Sequence, residues 1–329
     1  MREHIALTAF TERGRALAAR LADSLGGCLR EEGKPLADWT AERFPACGAL
    51  VFVGAAGIAV RAVAPYLRGK AEDPAVVCVD EAGRWVIPLL SGHLGGANAL
   101  ARRIAALTGG EAVITTATDI NGRFAVDLWA KRQGMAVLQP ERIKNVSAKI
   151  LRGETITLDC PFLIRGPAPA LVRPGSPGGV VVSFRTSDGG ALQLAPRVLT
   201  LGVGCKRGTG AEALETAFRQ FCTERGIVPE AIERAATIDL KRDEAGLLAF
   251  CEAHGWPLAF YSAEELSAAP GDYSASAFVA RVTGVDNVCE RAAALSSGGA
   301  VIEKKYALGG VTFALAARQR EYDWSFQDG

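Results

Sequence analysis

Ala49-Leu-Val-Phe-Val53, running into Gly54-Ala-Ala-Gly-Ile-Ala-Val-Arg61, is the stretch on which the fold turns. Five apolar residues without a polar interruption predict a strand buried on both faces, the habit of a parallel sheet. Gly54 to Gly57 then predicts a turn, and Ile58 to Leu67 a short helix interrupted at Pro65, whose ring removes a backbone donor. Another apolar run, Ala75 to Val79, predicts the next strand. Working upstream, His4 to Phe10 predicts a first strand, and Glu12 to Leu25 places Leu17, Leu21 and Leu25 on one helical stripe. Downstream come a predicted strand at Trp85 to Leu90, a loop at Ser91 to Gly96, a helix at Ala97 to Leu107 and a strand at Ala112 to Thr116. Strands alternating with helices predict a mostly parallel sheet covered on both faces.

From about Ala136 the texture changes. A helix-like stretch over Glu141 to Arg152 precedes short strand-like runs at Thr155 to Leu158, Phe162 to Ile164 and Val180 to Phe184. Between them, Arg165 to Gly179 is rich in Pro and Gly and predicts turns in an exposed linker. Near Val198 the β-α rhythm returns. It gives a strand at Val198 to Val203, a turn at Gly204 to Gly210, a helix at Ala211 to Glu224 carrying Leu214, Phe218 and Phe221, and a strand at Ala235 to Leu240. A helix at Asp243 to His254, a strand at Leu258 to Tyr261, a helix at Val285 to Leu295 and a hairpin of Ala300 to Glu303 with Val311 to Ala316 complete it. The predicted class is therefore α/β and multi-domain: two α/β units, residues 1–135 and 197–329, with mostly parallel sheets, joined by a small α+β middle domain at 136–196.

The chain of 329 residues exceeds one ordinary core, and 49% hydrophobic with 22% charged residues predicts globular folding. A formal net charge of +1 gives no global field to recruit nucleic acid or an anionic membrane surface. No apolar run approaches the roughly 18 residues of a membrane span, and the charged start has no signal-peptide core, so a cytoplasmic protein is expected. The 8 cysteines are scattered without a C-x-x-C pair and read as reduced, mostly core thiols. Three histidines far apart predict no metal site. Nothing in the sequence sets an oligomeric state.

Four glycine-rich segments follow strands, where open α/β sheets bind ligands. They are Gly54 to Arg61, Ser91-Gly-His-Leu-Gly-Gly-Ala-Asn98, Thr115-Thr-Ala-Thr-Asp-Ile-Asn-Gly122 and Gly202-Val-Gly-Cys-Lys-Arg-Gly-Thr209. Glycine admits close backbone approach, and helix starts favour anions. Gly54, Gly57, Ser91, Gly92, Gly95, Gly96, Asn98, Asn121, Gly204 and Cys205 are thus candidate ligand contacts, with Arg61, Lys206, Arg207 and Lys304 as candidate carboxylate-binding cations. The spacing of Gly202, Gly204 and Gly208 departs by one from a dinucleotide fingerprint, and no acidic residue ends a second strand about 20 residues later, so a nucleotide-dependent oxidoreductase ranks low. His93 lies between glycine steps just before a helix and can act as a general base, although an imidazole bonded to a loop carbonyl fits the same position. His4 and His254 read as structural. Asp119 and Asn121 can orient His93 or a water, with helix capping as the plainer reading. Cys205 precedes Lys206 at a helix start, where a thiolate is favoured, though a buried thiol fits as well.

Together, Gly54 to Pro65, Leu90 to Asn98 and Ile114 to Asp119 are similar to the N-terminal signatures of the CbiG proteins, the cobalt-precorrin-5A hydrolases of cobalamin biosynthesis. Leu201 to Gly208, Ile238 to Glu244 and Gly284 to Ala294 resemble that family's C-terminal domain, which also exists as a stand-alone relative. The resemblance spans nearly the whole chain in order. It implies hydrolysis of the ring A acetate δ-lactone of cobalt-precorrin-5A, with release of acetaldehyde, to give cobalt-precorrin-5B. It also implies no cofactor beyond the cobalt that the tetrapyrrole substrate carries, and possible partners among the other enzymes of that pathway. On residue chemistry, His93 is expected to direct water at the lactone carbonyl while the Gly92 to Gly96 backbone steadies the oxyanion. A non-catalytic carrier of the same intermediate is the alternative.

Overall fold

The computed structural model describes residues 4–69, 72–92, 95–116, 123–187 and 189–326. The chain divides into two compact units. The first comprises Met1–Lys131, Ile143–Glu154 and Phe326–Gly329, and the second Arg132–Arg142 with Thr155–Ser325.

The first unit is built on β1 (Ile5–Ala9), β2 (Cys28–Leu29), β3 (Ala49–Val53), β4 (Ala75–Val79), β5 (Trp85–Leu90) and β6 (Glu111–Ala112), in the order β2-β1-β3-β4-β5-β6. Every neighbouring pair is parallel except β4 with β5. Helices α1 (Glu12–Leu25) and α4 (Ala97–Thr108) supply the core of one face, where Leu17, Leu21 and Ile104 meet Val51 and Val77. Helices α2 (Leu36–Ala46) and α3 (Ala56–Val63) supply the other, with Trp39, Phe44 and Val63 against Leu50 and Phe52. Alternate residues of β3 therefore enter different cores, which is why its sequence shows no polar alternation. Thr11 begins α1 by accepting the Gly14 N–H at 3.0 Å, and Gly26, in the left-handed region, ends it. Helix α3 stops at Val63 and tightens into a 3-10 turn over Ala64–Tyr66, so the regular helix ends two residues before Pro65, where the sequence predicts its interruption. Helices α5 (Val126–Arg132) and α6 (Ile143–Leu151) complete the unit.

The second unit holds two five-stranded sheets. One runs β10-β8-β11-β12-β7, from β7 (Met135–Val137), β8 (Ile156–Asp159), β10 (Val172–Pro174), β11 (Val180–Val182) and β12 (Leu192–Pro196). Here the structure corrects the expectation of a bare linker over Arg165 to Gly179. Val172 enters the core and β10 pairs in parallel with β8 at the sheet edge, the one place where Pro174, without an N–H to donate, costs no ladder bond. Upstream, β9 (Ile164–Arg165) pairs with β18 (Tyr322–Asp323). The other sheet runs β15-β14-β13-β17-β16, from β13 (Leu199–Cys205), β14 (Ile232–Ile238), β15 (Leu258–Tyr261), β16 (Ala300–Leu308) and β17 (Val311–Ala317). Its first three strands are parallel, β17 is antiparallel to β13, and β16 is antiparallel to β17. Helices α7 (Ala211–Arg225) and α8 (Ala245–Ala253) cover one face, with Phe218, Phe221 and Phe250 buried against Leu201 and Phe313. Helices α9 (Ala263–Ala268), α10 (Ala277–Thr283) and α11 (Cys289–Ser297) complete the unit. Helix α11 lies so close to β13 that a Cβ on Gly202 would stand 1.8 Å from the Cys289 carbonyl oxygen, so this glycine serves packing. Among the described residues no helix is long and apolar enough to cross a membrane.

Candidate functional site

Strand direction decides what the glycine-rich segments can share. Gly54 follows β3 and donates its N–H to the Val79 carbonyl at 2.8 Å, so it lies at the carboxyl end of β3 and β4. β5 runs the other way, its Leu90 opposite Val76, so Ser91 emerges where β3 and β4 begin. The Ser91 hydroxyl confirms this by donating to the carbonyl of Asp73, two residues before β4, at 2.9 Å. Gly54, Gly57 and Arg61 are thereby separated from Ser91, Gly92, Gly95, Gly96 and Asn98, to the opposite edge of one sheet, because a single antiparallel strand reverses the chain. Arg61 turns back on its own helix, reaching the Gly57 carbonyl at 3.3 Å. β6 is parallel to β5 and brings Thr116 to the Ser91 edge, where the buried Asn98 amide donates to the Thr116 hydroxyl at 3.0 Å. His93, Asp119 and Asn121 lie outside the described residues.

The Ser91 segment is tightly wound. Ser91 itself has φ 55, a conformation that a residue with a Cβ holds only when its surroundings impose it. Its carbonyl accepts the Ala97 N–H and that of Gly92 the Asn98 N–H, so two donors of the first turn of α4 close the loop on itself. A Cβ on Gly95 would stand 2.3 Å from Ser91 Cβ, and one on Gly92 2.8 Å from the Asn98 side-chain oxygen. Only glycine fits either place.

Beside this loop opens a cleft of about 700 Å³. Gly95 is in its lining, together with Phe44, Cys47, Pro65, Tyr66, Leu67, Arg68, Glu72, Asp73, Pro74 and Lys131. Phe44 and Tyr66, with ring centroids 6.0 Å apart, form an apolar wall. Arg68 and Lys131 supply positive charge. Arg68 is exposed and only loosely paired with Glu72 at 3.9 Å. Lys131 brings its ammonium to the start of α4, where a Cβ on Gly96 would come within 3.0 Å of Nζ. Sequence reading missed both residues: Arg68 sits in an unpatterned loop after Pro65, and Lys131 on the surface of a helix. The only available signal was that Arg68 follows the Gly54 to Pro65 block.

In the second unit the Gly202 to Thr209 loop leaves the carboxyl end of β13, as expected, but its Gly208 N–H and Arg207 guanidinium are engaged from within. Glu244, 5% exposed, accepts the Gly208 N–H at 2.9 Å and pairs with Lys241 at 3.0 Å. The Gly208 bond, against the cost of burial, and the Lys241 ammonium hold its carboxyl below the ordinary range. Arg207 pairs with Asp243. Lys206 lays its stem across Gly310, and its ammonium has no acidic partner among the described residues. Lys304 pairs with Asp272 at 3.2 Å. Burial pushes the Cys205 thiol up despite the nearby Lys241, so it is not an activated nucleophile. The core thiols go further, Cys78 to about 11 and Cys222 and Cys251 to about 12. His254, at the end of α8, bonds Glu215 at 2.7 Å and stacks 4.2 Å from Trp256. The Gly284 to Ala294 stretch has a structural explanation. The Asn287 amide donates to the Ser274 carbonyl, and the fully buried Glu290 carboxylate accepts N–H groups from Ser274 and Lys305. Burial alone would raise the Glu290 carboxyl, but those donors outweigh it and hold it low. Among the described residues no three His, Cys, Asp or Glu side chains group as metal ligands.

Comparison with known proteins adds independent findings. Residues 38–119 match the family model for cobalamin synthesis G N-terminal domains, and residues 199–316 that for the cobalamin synthesis G C-terminus. The chain is 35% identical over 343 residues to the cobalt-precorrin-5A hydrolase of Salmonella typhimurium, covering 95% of this chain and 97% of that one. It is 35% identical over 293 residues to that of Priestia megaterium, covering 81% and 78%. Protein CobE of Sinorhizobium sp is 31% identical over 121 residues, 36% of this chain and 79% of that one.

Proposed function

The chain belongs to the CbiG family of cobalt-precorrin-5A hydrolases, and from that premise we propose that it hydrolyses cobalt-precorrin-5A with the ring A edge of the substrate in the cleft of the first unit. One observation supports the placement: an aromatic wall, two cations and Gly95, two residues after His93 in the sequence, line one cavity. A tetrapyrrole is flat and apolar on its faces and carries carboxylates around its rim. Phe44 and Tyr66 offer the surface for a face, and Arg68 and Lys131 the partners for rim carboxylates. A substrate carboxylate beside Lys131 also meets the positive end of the α4 dipole.

In this reading His93 takes a proton from water as the water adds to the lactone carbonyl, and backbone N–H groups of the Ser91 segment face the resulting oxyanion. Asp119 and Asn121 orient the imidazole or the water. The lactone opens, and electron flow through the macrocycle then expels acetaldehyde. The cobalt belongs to the substrate. The same reading places the protein in the cytoplasm, a compartment suited to eight free thiols.

Anaerobic turnover of purified cobalt-precorrin-5A, followed by acetaldehyde release, tests this. His93→Ala is expected to lower kcat by about 10²–10⁴ with little change in KM. Near-normal turnover by that variant would remove His93 from the chemistry.

A further inference from the structure

The cleft is tied together at one residue that no motif marks. Asp73 lies just before β4, partly buried, in the cleft lining. Its carboxylate accepts the backbone N–H of Arg68 at 2.9 Å and that of Gly69 at 3.2 Å. Its own N–H donates to the Gly69 carbonyl at 2.9 Å, which closes the Arg68 loop on itself. Its carbonyl accepts the Ser91 hydroxyl at 2.9 Å. Ser91, held at φ 55, is the residue against which Gly95 packs and whose carbonyl starts α4.

We propose that Asp73 is a positioning residue for the hydrolysis, its carboxylate setting the Arg68 cation at the rim and its carbonyl, through Ser91, setting Gly95 and the start of α4. The proposal rests on the cleft being the substrate site. Physically, Arg68 stands in an exposed loop, and the Asp73 carboxylate is the side-chain acceptor that holds the Arg68 and Gly69 N–H groups. Without that acceptor the guanidinium samples many positions, and a charge-assisted bond to a rim carboxylate must first bear the cost of ordering the loop. Misplacement of about 1 Å in a positioning element is enough to cost two orders of magnitude in rate. The two arms act on different parameters: the carboxylate on binding of the carboxylate-fringed substrate, and the Ser91 bond on the chemical step.

A double-mutant cycle with steady-state kinetics on cobalt-precorrin-5A tests it. Asp73→Ala is expected to raise KM about tenfold with kcat near that of the parent, and Arg68→Ala to raise it by at least as much. In the Arg68→Ala background, Asp73→Ala is expected to add nothing further to KM, because its effect runs through the absent guanidinium. Asp73→Asn keeps one acceptor at the same place and is expected to stay within about threefold of the parent KM, with an unchanged melting temperature. Ser91→Ala is expected to lower kcat about tenfold and leave KM alone. Multiplying KM effects in the double variant, or equal losses in kcat and KM in Asp73→Ala with a lowered melting temperature, would overturn the proposal. An unchanged KM in Arg68→Ala defeats the cleft reading itself, a result distinct from additivity.

Discussion

The Ser91–Asn98 and Gly202–Thr209 segments resemble each other in sequence: each follows an apolar strand, is rich in glycine and precedes a helix. In the structure they differ in what meets them. The first opens on a cleft with Arg68 and Lys131 in its lining. The second has Glu244 on its Gly208 N–H and Asp243 on its Arg207 guanidinium. The contrast is the ground on which we propose the first unit for the substrate's carboxylates: its cations line a cleft, whereas in the second unit the Gly208 N–H and the Arg207 guanidinium are already engaged.

The largest test of that contrast pits one pair of cations against the other. Replacing Arg68 and Lys131 together by alanine removes two charge-assisted bonds, each contributing about 1.5–3 kcal/mol, so KM for cobalt-precorrin-5A is expected to rise by roughly a hundredfold or more. Replacing Lys206 and Arg207 together is expected to leave KM within about twofold, because Arg207 is already committed to Asp243. The reverse outcome would move the carboxylate site to the second unit.

A smaller effect, in stability, separates the loops from the inside. Glu244→Gln leaves the Gly208 N–H with a weaker acceptor and Lys241 without its counter-charge, a loss of about 2 kcal/mol by urea unfolding at pH 7. The folded-state pKa of Glu244 is lowered, so the stability that its charge confers is present above the ordinary glutamate range and is lost as pH falls through the lower folded value. Parent and variant are therefore expected to converge in acid. Equal stability at pH 7 would mean that the second loop is not held from within, and the contrast would weaken.

Much of the fold was legible because local signals matched the tertiary outcome. The uninterrupted run of β3 states a doubly covered strand, and Thr11 and Gly26 bracket α1 where the hydrophobic stripe does. Less legible was whatever depended on partners distant in sequence. β10 reads as a linker because its parallel partner β8 lies across a proline-rich loop. The direction of β5 is not encoded in its composition: Trp85 to Leu90 suits either orientation, yet that direction alone decides which glycines share an edge. The same holds for the site. Gly92 and Gly95 announce themselves because they are glycines in a glycine-rich run, where a Cβ would meet Asn98 and Ser91. Arg68 and Lys131 do not, since an exposed cation carries no local trace of the cavity it faces. Nor does the loop after β13 reveal that the carboxylate on its backbone lies 36 residues further on.

The smallest effect concerns glycines alone. Gly208 has φ +77, and a Cβ there would meet nothing within 4 Å, so Gly208→Ala bears only the backbone strain of the left-handed region, about 1 kcal/mol. That is expected to lower the melting temperature by about 2–4 °C in a unit of this size and to leave KM unchanged. Gly95 is the opposite case: its backbone is ordinary, but its Cβ position is occupied by Ser91, so alanine there must displace the very residue that Asp73 holds. Gly95→Ala should therefore register in turnover, and Gly208→Ala only in thermal unfolding followed by circular dichroism. If Gly208→Ala instead impaired turnover while Gly95→Ala did not, the two loops would have exchanged roles, and the cavity beside Gly95 would have to be read as packing rather than as the place where the lactone opens.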